Sequence, residues 1–288
     1  MRFPRAILRR SLATSSAGVA QHYKQTAPTA YRSINFMTGN VAYEANVHTE
    51  ILRRFGFDAI GPHNPVVVAD LGAGTGQSGA KILSSLKNKL KYKDARLLCV
   101  EPFPEMLSQE AINEVLPQGQ HRDIEFIVGK DAVAFTSSSE YRYTHILLKG
   151  CVHHMTPNLS TVFHGISQQL AQGGRMLIVT RPVETNYPWF ERLNVIWRTT
   201  QPSIKDLEEA AVAAGLVSVE TTVLDSQFSI SLSELIGWIR SRMWSEFSML
   251  SDAEMEQGIK ELEQKYSGGT ATNAITFIDR LLFMTAQK

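Results

Sequence analysis

Residues 66–76, Val-Val-Val-Ala-Asp-Leu-Gly-Ala-Gly-Thr-Gly, constrain the fold more than any other stretch of this chain. A run of mostly β-branched apolar residues ends in Asp70, and glycines then occupy every second position: Gly72, Gly74 and Gly76. The run predicts a buried parallel strand. The glycines predict a tight turn that lets the backbone approach a ligand, because no Cβ obstructs it and a positive φ costs little. Since 77–90 is compatible with a helix, we predict a strand–turn–helix unit.

Strand-like and helix-like segments alternate along the chain after this unit. Apolar runs predict four further strands at 96–101, 124–128, 144–149 and 175–180. Helix-like segments at 104–116 and 156–171 lie between them, and Thr156 with Pro157 is typical of a helix start. Parallel strands joined by helices of this length form a sheet that is covered by helices on both faces.

The C-terminal part departs from this alternation. A helix at 203–214 and a sixth strand at 217–224 precede two helices that open with a capping-box pattern: Ser231 with Glu234, and Ser251 with Glu254. The chain ends in a strand at 275–285, which we expect to lie antiparallel beside the sixth. The predicted fold class is therefore α/β: a Rossmann-like seven-strand sheet, mostly parallel with an antiparallel last strand, with a helical insertion at 227–269 between strands six and seven.

Charge is distributed unevenly along the 288 residues. Residues 1–43 contain six basic residues and no acid, whereas the whole chain has a formal net charge of +1, so the remainder is mildly acidic. This balance argues against a nucleic-acid partner, which requires clustered Lys and Arg on the folded domain. Cys99 and Cys151 lie in apolar runs and are predicted to be buried thiols. No apolar run is long enough to predict a membrane span.

The N-terminal residues have the composition of a targeting segment. Residues 1–20 are rich in Arg and Ser, contain no acid, and space their apolar residues along one helix face. This pattern predicts a mitochondrial transit peptide and a matrix protein, with a disordered basic tail on a cytoplasmic protein as the alternative. We expect 21–60 to form a helical lid and 61–288 to form one domain that carries the insertion.

Two classes of cofactor suit the glycine-rich turn. Gly74, Gly76 and Gly79 fit the dinucleotide pattern G-x-G-x-x-G, with Glu101 somewhat beyond the usual spacing of about 20 residues. The other class is S-adenosylmethionine, for which no phosphate has to be held. Asp70 favours this second class, because a carboxylate just before the glycines gains nothing at a pyrophosphate site. The turn also lacks a basic residue for a phosphate.

With these features the chain resembles the class I S-adenosylmethionine-dependent methyltransferases over about residues 60–288. The segment from Asp70 to Gly76 is similar to the family's first motif, whose backbone holds the methionine end of S-adenosylmethionine. The resemblance implies that Glu101 accepts both ribose hydroxyls of that cofactor. It also implies that Asp131 and Ala132 lie at the adenine amino group. The segment 235–248 loosely resembles the insertion of the trans-aconitate methyltransferases.

The resemblance places the chemistry at the carboxyl end of strand four. Lys149, His153 and His154 follow there, and we list Lys149 with the cofactor residues. His153 or His154 is the candidate base, because the pKa of a histidine lies near working pH. Either histidine could equally cap the next helix or line the cofactor pocket. No cluster with metal-ligand spacing predicts a metal site.

Aromatic and basic residues of the later segments are candidates for binding the methyl acceptor. Trp189 follows strand five, and Trp238 and Arg242 lie in the predicted insertion. An arginine over the site would suit a carboxylate, which guanidinium binds in a bidentate manner. Core aromatics and a solvated arginine are the alternative interpretation of these three residues.

The sequence therefore predicts methyl transfer from S-adenosylmethionine to a small molecule, with carboxylates as one class of acceptor. Three alternatives stay open. The acceptor could instead be a protein or a quinone-like lipid precursor. The chain could bind the cofactor without turnover, as an assembly factor. An NAD-linked oxidoreductase is the third. The oligomeric state cannot be derived from the sequence.

Overall fold

A seven-stranded sheet forms the centre of the fold in the computed structural model, which describes residues 18–33, 41–57, 65–116, 118–266 and 274–288. Its strands are β1 Val67–Leu71, β2 Arg96–Glu101, β3 Ile124–Val128, β4 Tyr143–Lys149, β5 Leu170–Thr180, β6 Val217–Ile230 and β7 Ile275–Gln287. The strand order is β3-β2-β1-β4-β5-β7-β6, with parallel pairing from β3 to β5 and antiparallel pairing of β5 with β7. The predicted mixed sheet is thereby confirmed. Almost all of the predicted transit peptide lies outside the described residues.

The α-helices connect these strands along the chain. They are α1 Ala27–Ser33, α2 Val41–Phe55, α3 Gln77–Asn88, α4 Gln109–Asn113, α5 Ala132–Thr136, α6 Leu159–Gln169, α7 Glu191–Thr200, α8 Ile204–Ala213, α9 Leu232–Arg240 and α10 Asp252–Tyr266. The main 3₁₀ segments are Pro104–Met106, Gln118–Asp123, Val152–Asn158 and Ser245–Met249, and His22–Thr26 is a π-helix. Both predicted capping boxes form: Ser231 with Glu234 and Ser251 with Glu254 exchange the expected hydrogen bonds.

Several predicted boundaries are wrong, and the causes are local. The predicted helix at 104–116 is a 3₁₀ turn followed by the short α4. The predicted helix start at Thr156 belongs to the 3₁₀ segment Val152–Asn158, in which the Thr156 hydroxyl donates to the His153 carbonyl at 2.8 Å. β5 begins at Leu170 and continues through the glycine pair Gly173-Gly174. Gly173 has a φ of 74°, which only glycine adopts at low cost. β6 extends to Ile230, into the predicted insertion.

The last strand lies between the two strands that precede it in the sheet. β7 is beside β6, as predicted, and it also pairs with β5, from Arg175 opposite Gln287 to Thr180 opposite Leu282. Sequence adjacency suggested only the pairing with β6. Because β7 fills the position next to β5, it buries both of its faces over Leu281–Met284.

Contacts divide the chain into two compact units. Unit 1 comprises 1–39, 186–200 and 227–279, and unit 2 comprises 40–185, 201–226 and 280–288. The segment 21–60, predicted to be one lid, is therefore split, with α1 in unit 1 and α2 in unit 2. The insertion likewise forms part of a unit with its own core.

The core of unit 1 is aromatic. Tyr187 stacks on Trp189 with ring centroids 5.1 Å apart, and Trp244 packs edge-on against both rings. The Tyr187 hydroxyl donates to the fully buried carboxylate of Asp279. Rings at these distances and angles pack in the stacked and edge-to-face arrangements that aromatic pairs prefer, so the cluster contributes to the stability of the unit.

The core of unit 2 lies on the sheet. Fully buried side chains of β1, β4 and β5 pack against α6 and α8, among them Ile146, Ile178, Phe163 and Ala211. The predicted burial of Cys99 and Cys151 is confirmed, and both are free thiols. No helix of the described residues is long and apolar enough to cross a membrane.

Close packing of α6 against α5 leads to a stability prediction. A Cβ at Gly165 would lie 2.4 Å from the Thr136 carbonyl oxygen. We expect Gly165→Ala to lower the free energy of unfolding by about 2–3 kcal/mol, because backbone must move to relieve the overlap. Gly237→Ala is the matched control, since a Cβ at this helical glycine meets nothing within 4 Å. Denaturant unfolding measures both variants, and equal stability of the two would contradict the packing argument.

Candidate active site

The turn after β1 brings a bare stretch of backbone to the carboxyl edge of the sheet. Gly72, Gly74 and Gly76 all have positive φ, at 73°, 57° and 80°. The N–H groups of Gly72 and Ala73 donate to the Val100 carbonyl at 2.9 and 3.0 Å, which ties the turn to β2. A Cβ at Gly74 would meet nothing within 4 Å. Open space therefore lies in front of this residue, as a ligand cradle requires.

Glu101 ends β2 and connects the turn to the next loop. Its Oε2 accepts the Gly74 N–H at 2.8 Å and its Oε1 accepts the Phe103 N–H at 3.1 Å. The side chain is buried, and burial raises the pKa of Glu101 to about 7. The two N–H donors act in the opposite direction and lower this pKa. Each carboxylate oxygen has two lone pairs, so each can accept a second hydrogen bond. Glu101 can thus shape the turn and still receive two donors from a ligand.

Asp70 is the penultimate residue of β1 and lies beneath the first turn of α3. The residue is 1% exposed, and among the described residues its Oδ2 has no hydrogen-bond partner. A Cβ at Gly79 would lie 2.9 Å from this oxygen, so Gly79 lets α3 close over the carboxylate. Burial raises the pKa of Asp70 to about 6, while Lys149 and the Gly79 backbone lower it.

The end of β4 lies beside this pair of acids. Lys149 Nζ donates to Ser78 Oγ at 3.2 Å. The next residue, Gly150, has a φ of 66°, and a Cβ there would point into open space. The Cys151 thiol donates to the Leu71 carbonyl at 3.0 Å, and burial raises the pKa of this thiol well above its usual value. The structure therefore gathers the predicted residues Asp70, Gly72, Gly74, Gly76, Glu101 and Lys149.

The two candidate bases occupy different environments. His153 is half-buried and His154 exposed, with ring centroids 3.9 Å apart. Burial, with a smaller effect of Arg181, lowers the pKa of His153 to about 4. His153 is therefore a neutral and weakly basic imidazole near pH 7. His154 is the better candidate of the two by exposure, and the role of either stays a prediction.

Asp131 and Ala132 follow β3 at the same edge of the sheet. Asp131 caps α5: its Oδ1 accepts the Ala134 N–H at 2.8 Å. Ala132 is the first residue of α5 and is half-buried. The structure gives Asp131 a structural role, and the predicted contact with adenine stays untested.

The three predicted acceptor residues all belong to unit 1. Trp189 and Trp238 are buried, in keeping with core packing. Arg242 lies two residues after the end of α9 and has a φ of 50°. Its Nη1 donates to the carbonyls of Phe247 and Leu250 at 2.5 and 2.9 Å. Its Nη2 forms an ion pair with Asp252 at 2.7 Å. These contacts occupy the ends of the guanidinium that a carboxylate would bind, so the structure favours a structural role for Arg242.

For three residues of the site, the observed role was not predicted from the sequence. Gly79 was assigned to the dinucleotide pattern, but its observed role is to leave room for Asp70. Gly150 follows β4 directly, and a glycine immediately after a predicted strand was the available signal. Ser78 carries no signal of its own, because its partner Lys149 is 71 residues away. Among the described residues no group of three or more potential ligands could hold a metal ion.

Comparisons with known proteins agree with this geometry. Residues 69–176, which contain the turn, Glu101 and the end of β4, match the family described as "Methyltransferase domain". A search of curated proteins found no match.

Solved structures with the same fold include proteins of different activity. A phosphoethanolamine N-methyltransferase 2 of Haemonchus contortus, in complex with S-adenosyl-L-methionine, is 18% identical, with a TM-score of 0.51 over 84% of this chain and 52% of that one. This chain thus spans about half the length of that enzyme. The YcgJ protein of Bacillus subtilis is 14% identical, with a TM-score of 0.50 over 78% of this chain and 92% of that one. The [4+2]-cyclase SpnF is 13% identical, with a TM-score of 0.50 over 84% of this chain and 80% of that one.

Proposed function

We propose that this chain, which carries a class I S-adenosylmethionine-dependent methyltransferase domain, transfers the methyl group of that cofactor to a small-molecule acceptor. The match of residues 69–176 to a methyltransferase domain, together with the fold, supports methyl transfer and the predicted cofactor class. The arrangement of Glu101 carries the proposal for this chain. Its carboxylate is fixed by the Gly74 N–H, next to backbone that faces open space.

The residues present fit the cofactor. A ribose diol needs two acceptors at a fixed spacing, and the two oxygens of Glu101 each keep a lone pair for it. The cofactor carries positive charge, which the adjacent carboxylate of Asp70 suits. Gly74 and Gly150 leave room where a side chain would project into the site. When bound, the cofactor supplies an electrophilic methyl group on a sulfonium centre.

The chain's own contribution to transfer is mainly positional. An in-line displacement requires the acceptor atom to be held about 3 Å from the methyl carbon, and a base only where the acceptor carries a proton. Glu101 and the glycine turn orient the cofactor, and His154 would accept a proton at its imidazole ring.

Small molecules are the acceptor class with the best support. The Haemonchus contortus enzyme is named for its action on phosphoethanolamine. The net charge of this chain is near neutrality and does not indicate nucleic-acid binding. The carboxylate class has less support than the sequence suggested, because Arg242 is engaged with backbone and Asp252. A protein or quinone-like lipid acceptor, and cofactor binding without turnover, are the competing proposals. SpnF, a cyclase by name, illustrates that this fold does not fix the reaction.

Calorimetry with S-adenosylhomocysteine and with NAD tests the cofactor assignment for the intact chain. We expect micromolar binding of S-adenosylhomocysteine and none of NAD. The reverse result would mean an NAD-linked oxidoreductase. Incubation with radiolabelled S-adenosylmethionine and a metabolite extract, then with protein and lipid fractions, identifies the acceptor class. Binding without labelling of any fraction would favour an assembly factor.

His154→Ala tests the proposed base. We expect the variant to bind S-adenosylhomocysteine as the wild type does and to lower kcat by about 100-fold, the usual contribution of a general base. His164→Ala, on α6, is the matched control for loss of an imidazole and leaves the rate unchanged. Radiolabel transfer to the identified acceptor measures both variants, and an unchanged rate for His154→Ala would remove the residue from the mechanism.

We also propose that the protein is imported into the mitochondrial matrix. The acid-free, Arg-rich composition of 1–20 supports this localisation. A fusion of residues 1–25 to a fluorescent protein should enter mitochondria, and a fusion in which Arg9 and Arg10 are changed to glutamate should not. A diffuse cytoplasmic signal from the unmodified fusion would support the cytoplasmic alternative.

A further inference from the structure

We infer that Lys149 is a positioning residue whose ammonium group keeps the buried Asp70 carboxylate ionised beside the cofactor turn, instead of contacting the cofactor itself. The inference rests on the proposed function, because the ionised carboxylate serves a positively charged cofactor. It also replaces the role in cofactor binding that the sequence suggested for Lys149.

The Asp70 carboxylate has an unusual environment for a charged group. It is 1% exposed, and its Oδ2 lacks a hydrogen-bond partner among the described residues. The first turn of α3 covers it, with the position of a Gly79 Cβ only 2.9 Å from Oδ2. A buried carboxylate without compensation becomes protonated, because burial penalises the charged form.

Lys149 brings the compensating charge to the same turn of α3. It is the last residue of β4, which pairs with β1 in parallel, with Asp70 opposite Leu147. Its Nζ donates to Ser78 Oγ at 3.2 Å, and Ser78 is the neighbour of Gly79. Ser78 thereby holds the ammonium group near the helix turn that covers Asp70. In the described part of the chain Lys149 forms no ion pair with any carboxylate, Asp70 included, so its charge acts on Asp70 through space and not through a direct contact.

The direction of the electrostatic effects agrees with this assignment. Burial raises the pKa of Asp70 to about 6, and Lys149 is the largest influence that lowers it. The other titratable groups that face Asp70 are Glu101 and Cys99 on β2 and Cys151 after β4. None of these is a cation, and His48 on α2 faces Lys149 as a neutral ring, because its pKa is lowered to about 4 by burial and by nearby lysines.

Direct contact between Lys149 and the sulfonium centre of the cofactor is disfavoured by charge. A sulfonium and an ammonium group repel each other, and the repulsion is larger in a buried site than in water. An ammonium group whose charge is balanced by the Asp70 carboxylate repels the sulfonium less. Lys149 thus supports the site through its effect on the charge of Asp70.

The first test measures the titration of Asp70 in the apo protein. Carboxyl ¹³C NMR with Asp-selective labelling follows the resonance that Asp70→Asn removes. We expect a midpoint near pH 6 in the wild type. In Lys149→Met the midpoint should rise by about one unit or more, the usual effect of losing a nearby opposite charge, and Lys149→Arg should restore it. Lys205→Met, which removes an exposed lysine of α8, is the charge control and should leave the midpoint unchanged.

The second test is a double-mutant cycle on the affinity for S-adenosylmethionine, which carries the sulfonium charge. Lys149→Met should weaken binding at pH 6 by about fivefold or more in the wild-type background, because a one-unit rise takes the ionised fraction of Asp70 from about a half to about a tenth. In the Asp70→Asn background it should weaken binding by less than about twofold, since coupled residues are not additive. Equal weakening in both backgrounds would show direct contact with the ligand and overturn the inference. An unchanged NMR midpoint in Lys149→Met would overturn it as well. Failure of the wild type to bind would instead refute the proposed function, which the apo titration does not require.

Discussion

Gly74→Asp is expected to abolish binding of S-adenosylhomocysteine while the protein stays folded. A side chain at this position enters the open space of the turn, since a Cβ meets nothing within 4 Å. The new carboxylate would fill the cradle and would also lie near Glu101, whose Oε2 accepts the Gly74 N–H. We expect affinity to fall by at least about 100-fold, equivalent to about 2.7 kcal/mol. Calorimetry measures the loss.

Gly215→Asp is the matched control for this variant. Gly215 has a φ of 80°, and a Cβ there also meets nothing within 4 Å, but the residue follows α8, away from the turn. Both variants place aspartate in the left-handed region, at a cost of about 1–2 kcal/mol in stability. Similar unfolding midpoints with different affinities would locate the effect at the cradle. Retained affinity in Gly74→Asp would mean that the ligand does not approach this turn.

Glu101→Ala should have an effect of the same size for a different reason. The change removes the acceptor of two backbone N–H groups, those of Gly74 and Phe103, as well as the two acceptors proposed for the ribose diol. Each buried N–H left without a partner costs about 1–3 kcal/mol, so the turn loses its shape. Glu101→Gln keeps the volume and one acceptor, and we expect intermediate affinity. Wild-type affinity in Glu101→Ala would contradict the proposed site.

The pKa of Glu101 gives this site an unusual pH dependence. Burial raises that pKa from its ordinary 4.5 to about 7, so the folded apo protein prefers the protonated acid. The contribution of Glu101 to stability is therefore complete below pH 4.5 and is lost as the pH rises through 7. Binding has the opposite dependence, because the diol requires the ionised carboxylate. We expect the affinity of the wild type for S-adenosylhomocysteine to rise from pH 6 to pH 8. In Glu101→Gln the affinity should stay nearly constant between pH 7 and pH 8. Calorimetry measures both proteins.

Much of the sheet could be predicted because its signals are local. The bounds of β2 and β3 were predicted to the residue, since apolar runs there end at an acid or a glycine. The capping boxes at Ser231 and Ser251 also need only residues three apart. The helix predicted at 104–116 failed for the converse reason: apolar spacing alone did not reveal that the chain breaks into a 3₁₀ turn and the short α4.

The sequence by itself determined the turn, the acids that close β1 and β2, and hence the cofactor class. Each depends on residue type at a strand end, and parallel strands bring their carboxyl ends to one edge of the sheet. Only the tertiary structure decided which partners those side chains have. Lys149 reaches Ser78 across 71 positions of the chain, and Arg242 is occupied by carbonyls that follow α9. Such pairings depend on how helices and strands pack in three dimensions. The spacing of residues along the chain does not show which charged groups will face each other once they are buried.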